Sequence, residues 1–164
     1  MRLYGVVGWK NAGKTTLMEK LVAEMTGRGL SVSTVKHAHH AFEADQPGKD
    51  SWRHRQAGAR EVLVCSGARW ALMSELRGQP EPPLEALLAH LAPVDLVLIE
   101  GYKRDRHLKV EAWRAATGAP RIGDDDPTVR AIATNDPLPD YRLPVLPLDD
   151  AAAVADFILT EVGL

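Results

Sequence analysis

Residues 8–15, Gly8-Trp9-Lys10-Asn11-Ala12-Gly13-Lys14-Thr15, carry the spacing G-x-x-x-x-G-K-[ST] without a mismatch. A loop of this kind folds round an anion with its N–H groups pointing inward. It needs glycine where a Cβ would block a positive φ or a close approach. A helix opening at Gly13-Lys14 adds its free N–H groups and the positive end of its dipole. In such a loop Lys14 reaches the β- and γ-phosphates, the Thr15 hydroxyl ligates Mg²⁺, and the backbone through Thr16 completes the cradle. A glycine-rich turn that merely joins strand to helix is the plain alternative. The flanks favour a nucleotide: an apolar run over 2–8 precedes the loop, and an amphipathic segment follows it.

A site of this kind also wants a carboxylate near the metal, at the C-terminal end of a neighbouring parallel strand. The segment Val94–Ile99 is the strongest strand in the sequence, with Asp95 near its start and Glu100 closing it. The two acids stand about 16–17 Å apart along an extended chain. If this strand runs parallel to residues 2–8, only Glu100 faces the phosphates, with Gly101 letting the backbone turn close by. Asp95 is then a solvent-facing residue at the strand start.

Residues 36–60 concentrate polar chemistry, including His37, His39, His40, Asp50, Arg53 and Arg55. A metal site from His37, His39 and His40 has no second cluster of zinc-like spacing to complete it. A solvated loop accounts for the histidines, and a helix N-cap accounts for Asp50. By position, however, the loop leaves the second strand on the phosphate edge. Phosphate, Mg²⁺ or a second anionic ligand is therefore within its reach. Lys103, Arg104, Arg106, His107 and Lys109 follow Glu100 and are expected at that edge too. Such a run is usually a solvated face. Two basic segments at one edge of a near-neutral protein favour a polyanionic small molecule. Thr134-Asn135-Asp136 closes a later strand. A carboxylate there could accept from the N1–H and 2-amino group of guanine, yet Asn-Asp-Pro is also a common turn, and no lysine completes the usual guanine motif.

The elements that must hold these residues can be read from periodicity. Leu17, Leu21, Val22 and Met25 share one face of a helix from about Lys14 to Thr26, and residues 31–36 form the next strand, giving one βαβ unit. A short helix is expected near 50–58, and a hairpin from Glu61–Cys65 and Arg69–Ser74 around Ser66-Gly67-Ala68. A helix follows through Leu84, Leu87, Leu88 and Leu91. Strands are expected at Leu108–Trp113, Val129–Ala133 and Val145-Leu146, and a last helix capped by Asp149 or Asp150. The fold class is α/β: a P-loop NTPase-like three-layer domain, with a mostly parallel sheet and an added hairpin, read as one domain over 1–164.

Composition fits. The 164 residues hold 20 Lys+Arg against 22 Asp+Glu, a formal charge of −2, with 45% hydrophobic residues. That excludes a disordered chain, and a lone cysteine, Cys65, excludes a disulfide scaffold. The balance argues against nucleic-acid binding, and no apolar run reaches the roughly 20 residues of a membrane span. A cytoplasmic location is expected.

Assembled, G-W-K-N-A-G-K-T-T at 8–16, V-K-H-x-H-H at 35–40, P-G-K-D-S-W-R-H-R-x-A-G at 47–58 and V-L-I-E-G-Y-K at 97–103 resemble the molybdopterin-guanine dinucleotide biosynthesis protein B family. The resemblance spans nearly the whole chain in order and size. It implies a GTP- and Mg²⁺-binding homodimer that assists the guanylyltransferase attaching GMP to molybdopterin, by binding GTP or the finished guanine dinucleotide cofactor. It implies guanine as the base; Asn135 and Asp136 stay base-side candidates on the chemistry of their side chains alone, with the plain turn as the alternative. Asp50 joins Thr15 and Glu100 as a candidate metal ligand. His37, His39, Arg53, Arg55 and Lys103 become candidates for a second anionic ligand. Hydrolysis is expected to be slow at best, since no arginine finger or water-positioning glutamine stands out. A small-molecule kinase and a nucleotide-dependent metal chaperone are the rival readings.

Overall fold

In the computed structural model, which describes residues 1–38 and 42–164, the chain runs β1 (Arg2–Val7), α1 (Lys14–Gly27), β2 (Val32–Lys36), α2 (Asp50–Gln56), β3 (Glu61–Cys65), β4 (Trp70–Ser74), α3 (Leu84–Leu88), β5 (Leu96–Glu100), β6 (Lys109–Ala112), β7 (Val129–Ala133), β8 (Val145–Leu146) and α4 (Ala151–Val162). It divides into two compact units, one of residues 1–38 and 92–164, the other of residues 39–91.

The first unit is built on a six-stranded sheet of order β2-β5-β1-β6-β7-β8. Every neighbouring pair in it is parallel. Parallel strands need both faces covered, which explains their apolar runs: β5 is buried along its whole length. One face carries Tyr4, Val6, Leu96, Leu98, Val110 and Ala112, packed with Leu17, Leu21 and Met25 of α1 and Val154, Ala155 and Ile158 of α4. Full burial of each large apolar side chain stabilises by about 1.5–3 kcal/mol. Asp150 caps α4 by accepting from the Ala153 N–H at 3.0 Å, a contact worth about 1 kcal/mol. Gly163, at φ 68°, ends that helix.

The opposite face is covered differently. Gly5 alternates with Tyr4 and Val6 and so points away from the helices. A Cβ on Gly5 would come within 2.6 Å of His107 Nε2 and 2.9 Å of Lys109 Cγ. The connection from β5 to β6 therefore lies directly against β1 there, and only glycine fits beneath it. This corrects the expectation for His107 and Lys109. They are not at the phosphate edge: Lys109 pairs with Gly5 in mid-strand and is fully buried. Glu111, also fully buried on this face, accepts from the N–H groups of Ile122 and Gly123, each at 2.9 Å. Two backbone donors of a turn are thereby satisfied by one carboxylate, whose pKa burial pushes up.

The second unit contains α2, the β3–β4 hairpin and α3. The hairpin is antiparallel with Glu61 opposite Ser74 and Cys65 opposite Trp70. Leu63 and Trp70 are 61% and 62% exposed.

Candidate functional site: a phosphate cradle at the sheet edge

β1 leaves the sheet at Gly8, whose φ of 148° suits glycine. A Cβ there would meet the Ala112 carbonyl oxygen at 2.3 Å. The chain then loops through Asn11, itself left-handed at φ 65°, to Gly13 at φ 97°, the N-cap of α1. No side chain caps this helix. Its first N–H groups are left facing the concavity, the arrangement that binds phosphate.

Lys14 donates from Nζ to the Trp9 carbonyl at 2.8 Å across the loop. Burial lowers its pKa, with Glu100 working against that and Lys36 adding to it. β5 lies parallel to β1 with Val6 opposite Glu100, so Glu100 sits at the cradle's edge. Asp95 lies at the other end. It is exposed, as expected, but committed: it accepts from the Ser31 N–H and hydroxyl, which holds its carboxyl below the usual range.

Thr15 Oγ1 and Glu100 Oε1 stand 3.2 Å apart. Adjacent corners of a magnesium octahedron with bonds near 2.05 Å are separated by about 2.9 Å. Two hard oxygens at this spacing beside a phosphate cradle fit that ion. The Lys36 ammonium stands 3.4 Å from the other oxygen of Glu100. A shallow groove floored by Met18, Val22 and Val35 opens from Thr15 and Glu100 along α1 and β2.

Just beyond Glu100 the chain turns through two left-handed residues, Gly101 at φ 95° and Tyr102 at φ 48°. A Cβ on Gly101 would press His37 at 3.0 Å. The His37 and Tyr102 rings lie 4.7 Å apart, and the His37 N–H bonds the Glu100 carbonyl at 2.9 Å. The turn carries Lys103 back over the Trp9 ring, 3.8 Å from its centroid. The indole N–H of Trp9 donates to the Pro120 carbonyl at 2.7 Å, which fixes the ring.

On the base side, both ends of the Asn135 amide are spent within the fold, on Asp149 at 2.5 Å and on the Leu148 N–H at 3.0 Å. Asp136 accepts from the Ala115 N–H at 2.7 Å through one oxygen.

Comparison with known proteins decides the family. Residues 3–135 match the family model described as molybdopterin guanine dinucleotide synthesis protein B. The chain belongs to this family. Relatives of the same length class include the Haemophilus influenzae molybdopterin-guanine dinucleotide biosynthesis adapter protein, 39% identical over 95% of this chain and 86% of that one. The Escherichia coli protein of the same name is 36% identical over 96% and 91%. Among solved structures, Bacillus subtilis MobB superposes with a TM-score of 0.77 at 26% identity, covering 99% and 98% of the two chains. A MobB homolog from Bacillus stearothermophilus gives 0.73 at 32%, covering 99% of each.

In this family member the remaining candidates fall in the second unit or outside the described residues. His39 and His40 are outside them. Asp50 is exposed in the first turn of α2, where Lys49 rather than Asp50 occupies the N-cap. Arg53 projects from the same helix beside His54 along a shallow surface groove. Arg55 faces inward among three carboxylates: Glu43, Glu75 at 2.6 Å and Asp45 at 3.6 Å. Its charge ties that unit together. Among the described residues no group of three His, Cys, Asp or Glu side chains is placed to hold a metal ion, and no helix is long and apolar enough to cross a membrane.

Arg114, whose guanidinium lies 3.4 Å from where a Gly13 Cβ would stand, was missed in the sequence, and Lys36, beside Glu100, was named there only as part of the polar segment 36–60 and not as a site residue. Both had a usable signal. Each stands at or just past the C-terminal end of a strand, β2 or β6, which in a parallel sheet is the ligand edge.

Proposed function

We propose that this protein binds Mg²⁺·GTP and acts as an accessory factor in molybdenum cofactor biosynthesis, assisting the guanylyltransferase that attaches GMP to molybdopterin. The observation that carries the reading is the convergence, at one edge of a parallel sheet, of an uncapped helix N-terminus, the Lys14 ammonium and the paired oxygens of Thr15 and Glu100. Thr15 and Glu100 would hold the metal, which neutralises phosphate charge when bound. Lys14 would neutralise the β- and γ-phosphates. Guanine is supported by the relatives' names and by Asp136, whose second carboxylate oxygen remains for the base. Asn135 contributes by fixing the loop that carries Asp136. The groove beside Thr15, with its apolar floor and Lys36 at its edge, suits a second ligand with a flat ring and an anionic tail, such as molybdopterin. Slow hydrolysis is supported by the lack of any glutamine to position water in residues 1–38 and 92–164. Homodimerisation is supported by the exposed apolar hairpin, since two strands alone are marginally stable in water; a monomer mass by light scattering would remove it.

The test is calorimetry with GTP and ATP in the presence of Mg²⁺. GTP is expected to bind more tightly than ATP, and Lys14→Ala to lose about 100-fold or more in affinity. Undiminished affinity in that variant would refute the cradle, and a preference for ATP would remove the guanine assignment.

A further inference from the structure

Trp9 holds two ammonium groups at once. Its carbonyl accepts from Lys14 and its indole face carries Lys103. Like charges gathered on one residue repel, and neither lysine has a carboxylate within ion-pairing distance among the described residues. Burial and the nearby Lys14 charge both lower the pKa of Lys103. A cation over an indole face is held only weakly. A charge-assisted bond to phosphate is of comparable or greater strength, and such a phosphate would also relieve the repulsion. The left-handed Gly101-Tyr102 turn is the local expense that brings Lys103 to this place rather than out into solvent. Resting on the reading of the cradle as a nucleoside triphosphate site, we propose that Lys103 is its terminal-phosphate sensor, leaving the Trp9 ring to pair with the γ-phosphate and so selecting triphosphate over diphosphate. Lys103 then serves the nucleotide itself rather than a separate anionic ligand. Lys14 lies deeper, in the loop, where both di- and triphosphate meet it. Lys103 follows Glu100 by three residues, and a metal held by Thr15 and Glu100 would bridge the β- and γ-phosphates, so Lys103 would meet the γ-phosphate.

The experiment compares Mg²⁺·GTP and Mg²⁺·GDP affinities of the full chain with those of Lys103→Met, which keeps the side-chain bulk, and Lys103→Arg. Lys103→Met is expected to weaken GTP about 10-fold or more and GDP less than about 3-fold, with Lys103→Arg recovering part of the preference. Trp9 fluorescence, isolated by subtracting the Trp9→Phe variant, is expected to change with GTP and not with GDP. Equal losses for both nucleotides, or no loss for either, would overturn the sensor while leaving the cradle intact. A wild-type protein that binds neither nucleotide would overturn the cradle reading itself.

Discussion

Lys103 and Lys109 follow the same strand end, and burial lowers the pKa of both, yet the protein treats the two charges in opposite ways. Lys109 is wholly out of solvent and fully supplied: its ammonium donates to the Asp105 carbonyl and the Thr128 hydroxyl, with an Asp126 oxygen at 3.6 Å. Asp126 is held in turn by the Thr128 N–H at 2.9 Å and hydroxyl at 2.6 Å. Among the described residues Lys103 has an aromatic face and no carboxylate within ion-pairing distance, and Lys14, its neighbour, donates to the Trp9 carbonyl with Glu100 acting on it only from farther off. Burial alone therefore does not mark a binding residue. What separates the two regions is whether the fold itself provides the counter-charge. Where it does, the lysine is part of the architecture; where no carboxylate comes within ion-pairing distance among the described residues, the place suits the anion we propose.

The comparison breaks most visibly at Lys109. Lys109→Ala leaves Asp126 uncompensated beside a cavity and is expected to cost about 3–5 kcal/mol of stability, a fall of about 10 °C in Tm. Nucleotide affinity of the folded fraction is expected to stay within about twofold. Lys14→Ala should do the reverse, so a Lys109 variant that unfolds normally but fails to bind would erase the distinction. A smaller effect is expected for Asp126→Asn, about 2 kcal/mol at neutral pH by chemical denaturation. Burial raises the Asp126 carboxyl, but the Thr128 hydrogen bonds and the nearby Lys109 charge outweigh it and hold the pKa below the ordinary value. The stabilisation is thus present above the unfolded value near about 3.9 and is lost as pH falls through the folded one. The gap between wild type and Asp126→Asn should close on acidification, and a constant gap down to about pH 2.5 would count against the pair. The smallest effect concerns Lys36, which is 59% exposed and therefore screened. Removing it with Lys36→Gln frees Glu100 for the metal, so the Mg²⁺ concentration for half-maximal GTP binding should fall about twofold, less at high salt. A rise would show that Lys36 assists the site.

Sequence pattern reached some of this and not the rest for identifiable reasons. The cradle was legible because its glycines fall at a fixed spacing between an apolar strand and a helix, where Gly13 must turn left-handed; that Gly8 must also pass the distant Ala112 carbonyl was not legible. β7 falls on Val129–Ala133 as expected, and Asp150 is the α4 cap, because an apolar run and an N-cap are local signals. Glu100 was placed at the phosphate edge by strand direction alone. Lys109 and His107 were misplaced because a basic run reads as an exposed face. The reason they are not exposed lies elsewhere in the chain, in the missing side chain of Gly5 about a hundred residues before them and, for Lys109, in Asp126 after it. Arg55 looked free for a ligand, and its three carboxylates come from both sides of it in sequence. The left-handed Tyr102, which aims Lys103, has no signature at all in the residue types.

The parallel register has a consequence for synthesis. β1 is made first, but its hydrogen-bonding neighbours are residues 96–100 and 109–111. A nascent chain emerging from the ribosome thus carries the phosphate-binding motif long before the strands that support it exist. The proposed cradle is complete only once residues 96–111 have been made, and the earlier apolar segment must wait unpaired until then.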